Sequence, residues 1–211
     1  MRVKDGVVLA VEKPLHSKLL KLNANRRIQT VETNAGMVGA GLVADCRVLA
    51  NRAREECSSH RSTYATNLPG PMLAERVALF MQAHTMYPGA RPFCSSMLVA
   101  AVDEDGPHLF MVEPSGTMWG YRGCAAGKGR RTAKTELEKL ALDEMTVEQA
   151  VIEAASIIYL VHDEQKDKDF ELEISWIGPP SGGVHQIVPK EVLAEATRIA
   201  KAKLASLMDY D

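Results

Sequence analysis

Arg26-Arg27-Ile28-Gln29-Thr30-Val31-Glu32-Thr33-Asn34-Ala35-Gly36-Met37-Val38-Gly39-Ala40-Gly41-Leu42-Val43 is the stretch on which the fold turns. Two runs, 26–32 and 35–43, flank the turn-prone Thr33-Asn34, the pattern of two antiparallel strands joined at a tight turn. Gly36, Gly39 and Gly41 carry no side chain to fill a core, so another element is expected to approach that backbone closely. Upstream, the apolar run Val7 to Val11, bounded by Asp5-Gly6 and Pro14, reads as a third strand, adjacent and antiparallel to these two.

Downstream the period changes. From Asp45 to about Ser62, Val48, Leu49 and Ala53 share one helical face and leave Arg47, Arg54, Glu55 and Glu56 for the other. Asn67-Leu68-Pro69-Gly70 stops that helix, and Pro71 suits the first turn of the next, whose stripe is Leu73, Val77, Phe80, Met81 and His84. Strands return at 93–102, 108–112 and 117–121, separated by Asp103-Glu104-Asp105-Gly106-Pro107 and Glu113-Pro114-Ser115-Gly116, an antiparallel meander. Helices follow at 130–142 and 146–163, the second opened by a Thr146 and Gln149 capping box. Phe170, Leu172, Ile174 and Trp176 alternate with Glu171, Glu173 and Ser175, the signature of a half-buried strand. A short strand at 184–188 and a helix from Pro189, ending near Asp209 and Asp211, complete the chain. Blocks of strands and paired helices are not the alternation of a doubly wound sheet; two stacked antiparallel sheets covered by helices bury all these faces.

Composition bounds the rest. The 211 residues suit one domain spanning 1–211, and 46% apolar with 25% charged residues excludes disordered or disulfide-scaffold classes. A net charge of −2 and a pI near 6.3 disfavour nucleic acid as main partner. Cys46, Cys57, Cys94 and Cys124 form no C-x-x-C, which argues against a zinc site and for a reducing compartment. Neither a signal peptide nor a membrane-length apolar run is present in the sequence.

Local motifs assemble no catalytic centre. Gly127-Lys128-Gly129 fails the Walker A spacing, because Arg122 and Gly129 stand where Gly and Ser or Thr are needed. Lys128, Arg130, Arg131 and Lys134 then read as a strand-to-helix turn with solvated or interfacial cations, with anion binding at a helix start as the alternative. Cys94 with His84 or His60 is the faint case for a cysteine nucleophile, against which a buried, unreactive Cys94 in a strand is expected. His84 reads as a satisfied core histidine, the histidine of His162-Asp163-Glu164 as an ordinary helix end, and Glu55-Glu56 as a solvated face. No cofactor and no metal site is expected.

Several segments carry a family resemblance: Lys4-Asp5-Gly6-Val7-Val8, Ser17-Lys18-Leu19, Gly41-Leu42-Val43-Ala44-Asp45, Ala53-Arg54-Glu55-Glu56, Arg91-Pro92-Phe93, Glu113-Pro114-Ser115-Gly116 and Gly127-Lys128. In that order and spacing the chain resembles the alpha-type subunits of the 20S proteasome core particle. Residues 133–140, 157–164 and 170–176 are most similar to the type-3 branch, which takes the seventh ring position. The resemblance implies an α+β fold, a four-layer αββα sandwich of two antiparallel sheets flanked by helices, the N-terminal-nucleophile hydrolase fold. It also implies a non-catalytic structural role in the outer heteroheptameric ring, which gates substrate passage and docks activators in ubiquitin-dependent degradation, in cytoplasm and nucleus. The implied partners are the other alpha subunits, the beta ring and the regulatory particle or other activators, with no nucleic acid and no membrane.

In that family a pocket between neighbouring alpha subunits receives an activator's C-terminal carboxylate on a lysine. The matching position holds Arg27, with Gly41 and Leu42 matching the pocket's backbone wall. Arginine pairs a carboxylate with a different fork and reach, and Arg27 reads equally as half of an ion pair at a surface or interface. Family members also carry a gating tail, a first helix and half of an opening strand before the Lys-Asp-Gly turn. Without them, Val7 to Val11 is expected to lack a strand partner, and assembly or gating to be weakened. A stand-alone hydrolase of the same fold is the rival reading, and it requires an exposed N-terminal Thr, Ser or Cys where this chain has Met1-Arg2.

Overall fold

In chain order the first strands are Arg2–Val3 (β1), Gly6–Pro14 (β2), Ile28–Glu32 (β3) and Ala35–Gly41 (β4), followed by helices Val43–Tyr64 (α1) and Gly70–Met86 (α2). Strands Ser95–Asp103 (β5), Gly106–Val112 (β6) and Met118–Gly120 (β7) precede helices Arg130–Glu138 (α3) and Val147–Val161 (α4). Strand Phe170–Ile177 (β8), a 3-10 turn at Pro179–Ser181, strand Gln186–Ile187 (β9) and helix Lys190–Met208 (α5) finish the chain. This computed structural model describes residues 1–15, 17, 19–21, 24–162 and 169–208. Lys18, residues 163–168 with Asp163 and Glu164, and the acidic Asp209 and Asp211 lie outside the described residues.

The strands make two antiparallel sheets, β1-β2-β8-β9 and the sequential meander β3-β4-β5-β6-β7. Strand side chains alternate between faces, and the two periods sort the core into three layers of contact. Met37, Met97 and Val99 meet Leu49, Leu73 and Met81 of α1 and α2. Val8, Ile174 and Trp176 meet Val147, Val151 and Ala155 of α4 and Ala196 and Ala200 of α5. Val7, Leu9, Val38, Ala100, Leu109 and Ile177 fill the space between the sheets. That is the four-layer αββα sandwich expected from the sequence; each fully buried Leu or Met contributes about 2 kcal/mol.

The hairpin at Thr33-Asn34 forms, with Ile28 opposite Val38 and Thr30 opposite Gly36, and the Asn34 amide donates to the Val102 carbonyl at 2.7 Å. Val7 to Val11, however, is not its neighbour. β2 lies in the other sheet and pairs with β8 from Val7 opposite Ile177 to Pro14 opposite Phe170, while Arg2 pairs with Val7 on its other edge. Val7 and Leu9 face the opposing sheet and Val8 faces α4, so an apolar run without alternation is an inner strand buried on both faces. The expectation of a missing partner is corrected on one edge only: β8 runs along β2 from Val7 to Pro14, whereas on the other edge β1 pairs Gly6 and Val7 and, among the described residues, no strand continues past them.

β8 also departs from expectation. The face carrying Glu171, Glu173 and Ser175 looks into the sandwich, where Glu173 and Ser175 are buried and take Lys13, the Arg27 backbone and His185 as partners. On α1 the buried face is Cys46, Leu49, Ala50, Ala53 and Cys57, and Val48 is half exposed. The capping box at α4 forms as read: Thr146 Oγ1 accepts from the Gln149 N–H at 3.3 Å, and Gln149 Oε1 accepts from the Thr146 N–H at 2.9 Å. The close approaches to the glycines are met by His185 at Gly36, Cys46 at Gly39 and the Cys94 carbonyl at Gly41.

Candidate functional site

β3 begins, and β4 ends, at the same end of the sandwich, because they are antiparallel. This brings Arg27, one residue before β3, to the side where Gly41 and Leu42 lead into α1. Burial pushes the Cys46 thiol in the first turn of α1 up, against the hydrogen bond from Ser95 and the Arg27 charge, which both pull it the other way.

The wall at Gly41 and Leu42 is fixed by its neighbours. Gly41 has φ +132°, and a Cβ there would overlap the Cys94 carbonyl oxygen, so only glycine fits without strain. The Leu42 N–H donates to that carbonyl at 2.9 Å, and the Leu42 side chain is half exposed at the head of the helix. One turn on, buried Asp45 accepts two hydrogen bonds from the Arg91 guanidinium, each 2.8 Å, and one from the Cys94 N–H at 2.9 Å. The Arg91 hydrogen bonds pull the Asp45 carboxyl down to about 2, against the burial that would raise it. Bidentate, charge-assisted pairs of this kind fix geometry as well as energy.

Arg27 is half-buried. Its backbone N–H donates to Glu173 Oε2 at 3.1 Å across the two sheets, and its Nε donates to Asn25 Oδ1 at 3.1 Å. Among the described residues no acceptor is paired with its two Nη atoms. The same Glu173 Oε2 lies 3.6 Å from the Nζ of Lys13, which is 2% exposed and 3.0 Å from Glu171 Oε2. Lys13 and Glu173 escaped the sequence reading. Counting in twos from Val7, Leu9 and Val11 puts Lys13 on the inter-sheet face, and that count was the available signal.

The remaining candidates do not gather. Cys94 is exposed, not buried in a strand: it precedes β5, its N–H and carbonyl are held by Asp45 and Leu42, and its side chain is left outside. His84 and His60 direct Nδ1 at the Phe80 and Thr66 carbonyls, 2.9 and 3.2 Å away, and neither is paired with a thiol. Glu55 is exposed, but Glu56 is largely buried by Arg52 and Arg76, and ties α1 to α2. Lys128, Arg130, Arg131 and Lys134 are exposed at the start of α3. Among the described residues no group of three or more His, Cys, Asp and Glu side chains could hold a metal ion. No helix of the structure is long and apolar enough to cross a membrane. The arrangement offers a cation and a backbone wall and, among the described residues, no nucleophile paired with a base.

Comparison with known proteins agrees in kind. The family described as proteasome subunit matches residues 1–177. Proteasome subunit alpha type-3 of Acanthamoeba castellanii is 53% identical over 204 residues, covering 97% of this chain and 81% of that protein. Those of Dictyostelium discoideum and Arabidopsis thaliana are each 48% identical, covering 97% and 100% of this chain and 82% and 84% of theirs. Nothing in these matches supports the stand-alone hydrolase. The four-layer sandwich and matches along nearly its whole length lead to one assignment: the chain belongs to the proteasome subunit family, within its alpha-type, type-3 group of structural, non-catalytic subunits.

Proposed function

We propose that this chain takes one place in the outer, seven-membered alpha ring of a 20S core. There it contacts the beta ring beneath it, contributes to the gate over substrate passage, and serves ubiquitin-dependent degradation in cytoplasm and nucleus. At one of its flanks it supplies part of a pocket for an activator's C-terminal carboxylate, with Arg27 as the cation and Gly41 and Leu42 as the wall. The observation that carries the pocket is the pair of unengaged Nη atoms on an arginine whose Nε and backbone N–H are both held. A guanidinium presented in this way takes a carboxylate through two parallel hydrogen bonds.

Native mass spectrometry of the chain, tagged at Asp211 and purified from its own cells, tests the assembly. A complex with six other alpha-like chains and the beta chains is expected; a chain running alone or as a small oligomer would sink the proposal. Fractionation of the same cells checks the two compartments.

A further inference from the structure

Arg27 is not part of a strand: β3 starts at Ile28, so no sheet ladder holds the Arg27 backbone. What holds it is Glu173 Oε2, which reaches across from β8 to accept the Arg27 N–H at 3.1 Å. Glu173 is itself buried and lies 3.6 Å from the Lys13 ammonium, which also meets Glu171 at 3.0 Å. Burying such charges loses more hydration than simple packing would, so this cluster is a poor device for stability alone. Its geometry serves another end. Lys13 offsets the Glu173 charge at the same carboxylate oxygen that accepts the Arg27 N–H.

We infer that Glu173, charge-compensated by Lys13, is the positioning residue for Arg27, setting the backbone from which the guanidinium meets a partner's free C-terminal carboxylate. The inference rests on the pocket reading of Arg27 given above. Asn25 completes the arrangement by holding Nε, which leaves the two Nη atoms to face one carboxylate together.

The test uses assembled particles from cells in which the altered chain replaces the native one. The probe is a short peptide with a photoreactive side chain near its C-terminus, made as the free acid and as the amide. The readout is the ratio of acid to amide adduct on this chain, by mass. Charge-assisted hydrogen bonds of this kind correspond to a ratio of about tenfold or more in the native particle. Arg27→Ala should bring the ratio close to one; if it does not, the pocket reading fails and the inference falls with it. Glu173→Ala should lower the ratio at least about fivefold, whereas Glu173→Gln, whose amide oxygen still accepts the Arg27 N–H, should stay within about twofold of native. If Arg27→Ala collapses the ratio and Glu173→Ala leaves it intact, positioning is refuted while the pocket stands. Equal loss of acid and amide adducts in Glu173→Ala refutes it too, since that is what a merely structural residue does. Should Glu173→Ala not enter particles, Glu173→Asp, which keeps the charge but draws the oxygens back by one methylene, carries the same expectation of a lowered ratio, and an unchanged ratio there overturns the inference.

Discussion

Acidification from pH 8 to pH 5 should remove about 2 kcal/mol of stability through His185 alone. His185 is 4% exposed between the two sheets, with Nδ1 2.8 Å from Thr30 Oγ1 on one side and Nε2 3.0 Å from Ser175 Oγ on the other. Its ring occupies the space that a Cβ on Gly36 would fill, and its backbone N–H donates to the Thr33 carbonyl at 2.6 Å. Burial disfavours the imidazolium and lowers the pKa from 6.5 to about 4. The folded chain thus holds the ring neutral, and its contribution is complete above about pH 6.5. It declines as the pH falls towards 4 and levels off below, because the unfolded chain then binds the proton that the folded chain resists. Each pKa unit is worth about 1.4 kcal/mol, so the full effect is about 3 kcal/mol, of which about 2 is spent by pH 5. Urea unfolding of the full chain, followed by the fluorescence of buried Trp176, measures it at pH 8, 7, 6 and 5. Other groups titrate over the same range, so the quantity to compare is the difference between the native chain and His185→Asn. That difference should shrink by about 2 kcal/mol from pH 8 to pH 5. A difference constant to within about 0.5 kcal/mol would refute the neutral, buried imidazole.

Three further outcomes follow from single contacts. Gly41→Ala should cost about 2 kcal/mol in unfolding free energy, because its φ of +132° and the overlap with the Cys94 carbonyl both oppose a side chain; an unchanged thermal midpoint would contradict this. Iodoacetamide at pH 8 should label exposed Cys94 first, leaving Cys46 and Cys57 until the chain unfolds, since burial pushes both thiols up, Cys57 to about 11; peptide mapping by mass decides. Thr146→Ala should lower stability by about 1 kcal/mol through the lost cap of α4, and Thr146→Ser should restore most of it in the same denaturant titration.

What could be read in advance was whatever a short window contains. The Thr146 and Gln149 pair, the Thr33-Asn34 turn and the stripe of Leu73, Val77 and Met81 each fix a local geometry, and each took the form expected. The strand partner of Val7 to Val11 was misread because pairing is a property of two distant segments, here β2 and β8, and the nearest apolar run in sequence is no guide to it. Glu171, Glu173 and Ser175 were given a solvated look by their polarity. A buried polar side is legible only when its partners, Lys13 and His185, are known to face it. Cys94 was misjudged because its apolar neighbours suggest a strand, whereas the hydrogen bonds of Asp45 and Leu42 hold it just outside one. The three residues proposed for the pocket were legible only through the family resemblance; nothing in their local spacing distinguishes them.

The pairing of Asp45 with Arg91 spans 46 positions along the chain, from the first turn of α1 to just beyond the end of α2. It therefore closes the helical hairpin into a non-covalent ring, and the entropy lost in closing a segment of this length is paid once, at the clasp. The two helices then have a common point of release. Hydrogen exchange at amides throughout α1 and α2 should converge on one opening free energy, and withdrawing the Asp45 carboxylate should lower that value for both helices together, leaving the amides of β2 and β8 on the far side of the sandwich to exchange as before.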